Sequence, residues 1–246
     1  MKQIAKTILL SYLPSPTTGR PRSVQYESIL DSISFVLRTG CQWRYAPAVD
    51  HSWKTVYHYF STWSKQHIFE RAYYDLLKFY TRRGVTENII TDTSFVKNVY
   101  GRDCFGRSPV DRGRRATKVS ALVDEHGIPL QLLFHPGNKN DGKTLHHLLQ
   151  KTSKRMCVKG KKIFGDKAYG NSRCDLVVSR HGLQNCLSRR NVDIDKVTNR
   201  IRIAVEHTFG WLDKYRRIIL RYDGLVAHFR SFHYLAALNL LAGRIR

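Results

Sequence analysis

The sequence predicts a mixed α/β (α+β) chain, in which a small all-helical domain over residues 1–84 precedes an α/β domain over residues 85–246. Three observations predict this. Apolar residues in the first part recur at helical spacing, as in Ile29, Ile33, Val36 and Leu37. From about residue 87 onward, short β-type runs alternate with helical ones. The 246 residues are 42% hydrophobic and 11% aromatic, which is a globular composition and excludes a disordered basic tail.

In the first part, Arg38-Thr39-Gly40-Cys41-Gln42-Trp43-Arg44 follows the Ile29–Leu37 helix and places a glycine where a helix should stop. Ser52 is positioned to cap a second helix carrying Val56, Tyr57, Phe60 and Trp63, with Lys54 and His58 on other faces. Helix, glycine-containing turn and helix in a basic context suggest a helix-turn-helix DNA reader. The same pattern also fits a plain helical subdomain whose aromatics form its core.

In the second part, residues 88–96 read as a strand. Residues 118–123 and 128–134 read as two more, joined by Asp124-Glu125-His126-Gly127, a hairpin signal. Helices are expected over 141–151, 174–180 and 196 to about 217, and strands over 162–164 and 185–188. The order β-β-β-α-β-α-β-α is that of a ribonuclease-H-like core.

Charge narrows the partner. Forty-two Lys plus Arg against 19 Asp plus Glu leave +23, which points to a polyanion. An arginine-rich loop from Arg102 to Arg115, with Arg114 and Arg115 at its end, suits phosphate contact. No apolar run reaches the ~18–20 residues that span a bilayer, so no membrane partner is expected. The first ten residues faintly resemble a signal peptide, but their apolar core is too short and no small-residue cleavage site follows. The five cysteines are scattered, with no C-x-x-C pair, which argues for reduced thiols, a cytoplasmic chain and no zinc site.

With so few acids, those on special elements are informative. Asp92 lies in the first strand and Asp166 just past the fourth, and these strands are neighbours in a ribonuclease-H-like sheet. At 100° per residue, Arg202, Glu206, Asp213 and Arg217 fall within a sector of roughly 60° on the longest helix. That makes a narrow polar strip on a largely buried helix. Alone, each Asp could simply cap a turn, and Arg202 with Glu206 could be a surface ion pair worth a few tenths of a kcal/mol. Together, three converging carboxylates repel one another unless a cation sits among them. Hard oxygen ligands select Mg²⁺ or Mn²⁺, and two such ions would bracket a scissile phosphate.

These residues resemble a known family, the DDE transposases of bacterial insertion sequences, in the insertion sequence five group. The resemblance runs from about Gly19 to Ile245. Gly19-Arg20-Pro21-Arg22, the stretch from Ile33 to Arg44 and Ser52-Trp53-Lys54-Thr55-Val56-Tyr57 are similar to the group's amino-terminal DNA-binding module. Thr91-Asp92-Thr93-Ser94, Gly165-Asp166-Lys167-Ala168-Tyr169 and Arg202-Ile203-Ala204-Val205-Glu206 resemble its three acidic segments. The resemblance implies Asp92, Asp166 and Glu206 as metal ligands and catalytic residues, with two Mg²⁺ (or Mn²⁺) ions. It departs from the family where Asn199 stands in place of a Tyr and Asp213 in place of a Lys, with Lys214 adjacent.

The implied activity is cleavage and transfer of DNA strands at the terminal inverted repeats of the chain's own element. The implied partners are double-stranded end and target DNA and further copies of the chain on that DNA, in the nucleoid-containing cytoplasm. Arg38, Arg44, Lys54, Thr55, His58, Arg114, Arg115, Arg202, Lys214 and Arg217 are the expected DNA contacts. The competing expectations are a catalytically inactive DNA-binding remnant that represses its element, and a divalent-metal nuclease without strand transfer.

Overall fold

A computed structural model describes residues 1–14, 24–47, 51–83, 86–193 and 196–245. The Gly19–Arg22 motif and the expected 84/85 boundary lie outside the described residues. The chain divides into two compact units, one of residues 1–80 and 212–246, the other of residues 81–211.

The first unit is helical: α1 (Gln3–Ser11), α2 (Tyr26–Thr39), α3 (Trp53–Lys65), α4 (Ile68–Arg83), whose last turn passes into the second unit, and further helices near the C-terminus. Gly40 ends α2 as expected, in the left-handed region at φ 71°. The Ser52 hydroxyl caps α3 by accepting the Thr55 N–H at 3.3 Å. The link between the helices, residues 40–52, is far longer than the ~3–4 residues of a helix-turn-helix. Within it, a short 3₁₀ turn (Trp43–Tyr45) sets the Trp43 ring 5.4 Å from Tyr57 and 5.0 Å from Phe60.

The C-terminal segment, which the sequence reading set with the α/β domain, packs in this unit. After α7 (Lys196–Leu212) come the one-turn α8 (Arg216–Ile219) and α9 (Val226–Ala242). Helix α9 is apolar nearly all round and buried along most of its length. Its Phe232 stacks on Phe60 at 4.4 Å, and Tyr234 meets Tyr74 through a 2.9 Å hydroxyl pair. Aromatics of α3, α4 and α9 thus make one core.

In the second unit, β1 (Asn88–Asn98) is the central strand. Beside it runs β3 (Arg115–Asp124), antiparallel, then β4 (Pro129–Pro136), antiparallel to β3, with the two-residue β2 (Gly106–Arg107) also on β3. On its other side β5 (Lys162–Gly165) pairs parallel to β1, and β6 (Gln184–Leu187) parallel to β5. Helices α5 (Asp141–Ser153) and α6 (Ser172–Arg180) join the later strands. Three antiparallel strands followed by two parallel ones with helical crossovers constitute the ribonuclease-H-like order.

The β3–β4 turn is pinned by Asp124, whose carboxylate accepts the His126 and Ile128 N–H groups at 3.0 and 2.8 Å. Gly127 sits there at φ +76°, and a Cβ at that position would lie 2.9 Å from the Ala204 carbonyl oxygen. The Thr208 hydroxyl donates to the Gly127 carbonyl at 2.8 Å, so α7 rests on this turn. Two expectations for α7 are corrected. It stops at Leu212 rather than near Arg217, and it is only half-buried, with Val205, Thr208 and Leu212 inside and Ile203 41% exposed.

Candidate active site

The parallel pairing of β1 with β5 fixes the register of the first two acids. The ladder ends with Thr91 opposite Gly165, so Asp92 and Asp166 occupy the next, equivalent positions on adjacent chains. Neighbouring strands are ~4.8 Å apart, and residues at matching positions share a face. Asp92 accepts the Thr93 N–H at 2.8 Å, and Asp166 accepts the Ala168 N–H at 3.0 Å in a tight turn.

The Asp92 carboxyl is pushed up to about 6. Burial is the largest cause. The Thr93 N–H acts against it, the Asp166 charge adds to it, the Arg202 guanidinium lowers it and the Glu206 charge raises it. The three expected acids and Arg202 therefore lie within one another's electric field. Glu206 is exposed on α7 and Arg202 half-buried one turn before it. Among the described residues, no three His, Cys, Asp or Glu side chains are gathered closely enough to hold a metal ion as they stand. The donor set itself suits a hard cation. A carboxyl whose ionisation burial, and to a lesser degree two further carboxylates, opposes is relieved by positive charge, and oxygen-only ligands favour Mg²⁺ or Mn²⁺.

Sequence reasoning gave no role to the polar chain behind these acids. Tyr169 is buried, and its hydroxyl lies 3.0 Å from Thr93 Oγ1, which lies 2.8 Å from Ser120 Oγ. Ser120 in turn lies 2.8 Å from His135 Nε2. The chain ties the Asp166 turn to the residue after Asp92, and runs on across β1, β3 and β4. Burial and the nearby Lys118 charge hold His135 down at about 4, so the imidazole is neutral near pH 7. The one available signal was Tyr169 itself, a large polar ring three residues past Asp166 in a segment otherwise explained by its acid.

The expected DNA contacts fall in several places. Arg38, Arg44, Lys54 and His58 are exposed on the helical unit, and Thr55 is half-buried with its N–H engaged by the Ser52 cap. Arg114 is exposed 3.9 Å from Asp111, and Arg115 stacks on Phe105 at 3.8 Å. Lys214 is exposed and belongs to the helical unit. Arg217 is a correction. It is 6% exposed, pairs with Asp223 at 2.8 Å and donates to the Cys41 carbonyl at 3.1 Å, so its guanidinium is consumed inside the helical core.

A sequence profile described as "Transposase DDE domain" matches residues 89–240, more than half of the chain. The chain belongs to the DDE transposase family. A second profile, "Putative transposase of IS4/5 family", matches residues 6–73. A curated relative from Burkholderia cepacia, "Putative transposase for insertion sequence element IS402", is 25% identical over 130 residues. That match spans 50% of this chain and 62% of the relative. Among solved structures, the catalytic domain of Mos1 mariner transposase is 11% identical, with a TM-score of 0.32, over 72% of this chain and 92% of that one. The Mos1 transposase paired-end complex with the left transposon end is 9% identical, with a TM-score of 0.31, over 94% of this chain and 82% of that one. The second acidic segment and the α7 segment both fall within the DDE match.

Proposed function

We propose that this chain binds the terminal inverted repeats of its own insertion sequence and catalyses metal-dependent cleavage and transfer of DNA strands there. The observation that carries the reading is that the parallel β1–β5 ladder ends with Thr91 opposite Gly165, which sets Asp92 and Asp166 one residue past the same pair, with the Glu206 charge on α7 acting on Asp92. Asp92, Asp166 and Glu206 would hold two Mg²⁺ ions, which when bound supply Lewis acidity to the attacking and leaving oxygens of a phosphodiester.

The chain's own groups do the rest. Asp92 and Asp166 are held on the rigid sheet, their carboxylates fixed by N–H groups of Thr93 and Ala168. The Tyr169–Thr93–Ser120–His135 chain keeps the two strand ends in step. Arg202 lies beside the acids and offers a cation to a phosphate oxygen. In the first reaction a water oxygen bonds to phosphorus as the P–O3′ bond breaks, leaving a 3′-hydroxyl and a 5′-phosphate. In the second, that hydroxyl attacks a target phosphodiester and displaces another 3′-oxygen. The exposed cations of α2 and α3, with Trp53 and Tyr57 partly exposed beside them, are the surface for end recognition.

Asp166→Asn keeps shape and removes one charge. It is expected to abolish strand cleavage in Mg²⁺ on an end-bearing plasmid while end binding persists. Retained cleavage overturns the assignment of the acids. If the wild-type chain binds ends and cleaves nothing, the inactive-remnant reading replaces this one.

A further inference from the structure

Away from the acids, helices α5 and α6 enclose a groove of about 460 Å³. Lys139, Lys143, Arg173 and Arg180 line it together with His146, His147, the exposed Leu176 and the buried Val177. No carboxylate is among its lining residues. The acids at the start of the two helices are committed elsewhere. Asp141 binds the buried Lys118 ammonium at 2.8 Å, and Asp175 binds Arg189 at 2.9 Å. Among the described residues, none of the four lining cations has an ion-pair partner.

The backbone adds to this field. A Cβ on Gly142 would lie 3.1 Å from Cys174 Sγ and 3.6 Å from the side-chain nitrogen of Asn171, the residue that caps α6. The first turns of α5 and α6 are therefore packed together at the groove, and the glycine permits the approach. Lys143 and Arg173 stand in those first turns, which Asn140 and Asn171 cap and where the helix partial charge is positive, whereas Arg180 ends α6. Four exposed cations with no carboxylate among the lining residues make a patch of one sign, which concentrates anions. A polyanion laid in the groove neutralises it.

We propose that the α5–α6 groove is a second DNA-binding surface, which grips the phosphate backbone of duplex DNA without reading its sequence. The inference rests on the reading of the chain as a DNA-processing enzyme. It adds a site distinct from the acids and from the exposed face of α2 and α3. Lysines and arginines spread along two helices suit neutralisation of backbone phosphates.

The test is equilibrium binding of a fluorescent duplex of random sequence, measured against salt in EDTA so that cleavage plays no part. The groove variant carries Lys139→Gln, Lys143→Gln, Arg173→Gln and Arg180→Gln. The control variant carries the same charge loss elsewhere, at Lys65→Gln, Arg82→Gln, Lys154→Gln and Lys162→Gln. All eight residues are exposed, and circular dichroism checks that both variants fold. Each phosphate that the protein no longer neutralises makes the slope of log K against log salt shallower by ~0.9, so the groove variant should show a slope shallower by roughly 2–4 and binding weaker by about tenfold or more. The control slope should change by less than about 1. Equal losses in both variants, or no loss in the groove variant, overturn the proposal. So does binding of inorganic phosphate to the groove, seen by chemical-shift changes, with an unaltered DNA slope. A failure of the Asp166→Asn cleavage test leaves this measurement untouched, so the two readings fail separately.

Discussion

Asp92→Asn should make the protein more stable, and only above a definable pH. The carboxyl has a value of about 6 in the folded chain against 3.8 when free. Because the folded value is the higher, the native state keeps the proton more tightly than the unfolded chain between those limits. That stabilisation is complete below pH 3.8 and is lost as pH rises through about 6. A shift of ~2 units at ~1.4 kcal/mol each gives about 3 kcal/mol as the most the ionised Asp92 costs at pH 8. Asparagine has the same shape and no charge, so it escapes the cost. Urea denaturation of both proteins in EDTA, from pH 4.5 to 8, should give curves that nearly meet at the acid end and separate by up to about 3 kcal/mol at the alkaline end, the variant being the more stable. Adding Mg²⁺ at pH 8 should then raise the wild type and leave the variant nearly unmoved. A stability difference independent of pH, or a variant less stable at pH 8, would refute the account of Asp92 as a carboxylate whose ionisation burial opposes.

Other perturbations probe the supports. Arg217→Ala strands the Asp223 carboxylate, itself 5% exposed, and should cost ~3–5 kcal/mol, read as a fall in urea midpoint. Gly127→Ala places a side chain at φ +76° against the α7 backbone, and should cost at least ~1–3 kcal/mol while lowering strand cleavage through displaced Glu206. The matching readout is a cleavage loss in Gly127→Ala exceeding that of a surface control such as Lys154→Ala.

The strand and helix order was legible because each element is bounded by its own turn chemistry. Gly127 closes the hairpin, and Gly40 and Ser52 mark the end of α2 and the start of α3. Once the order is known, the neighbouring places of Asp92 and Asp166 follow, since a parallel β1–β5 pair fixes its own register. The end of α7 was not legible. Asp213-Lys214-Tyr215-Arg216-Arg217 contains no glycine or proline, so helical periodicity runs on in sequence past the point where the chain turns. Arg217 was misread for the same reason: its partners Asp223 and Cys41 share no periodic relation with it. The home of α9 was also hidden. A helix apolar on all sides announces burial but not which core receives it, and only the packing of Phe232 on Phe60 decides that. The Tyr169 chain is invisible for the opposite reason, since it joins a turn and three strands through single residues that look ordinary one by one.

The helical unit is assembled from both ends of the polypeptide, with the α/β unit threaded between them. During synthesis, every strand of the sheet and all three acids therefore leave the ribosome before the last helix needed to complete the aromatic core around Phe60. A frameshift or early stop between α7 and α9 would spare Asp92, Asp166 and Glu206 yet leave α3 without its partner. An element decaying by such lesions would lose the footing of its amino-terminal helices while the sequence of its acids still read as intact.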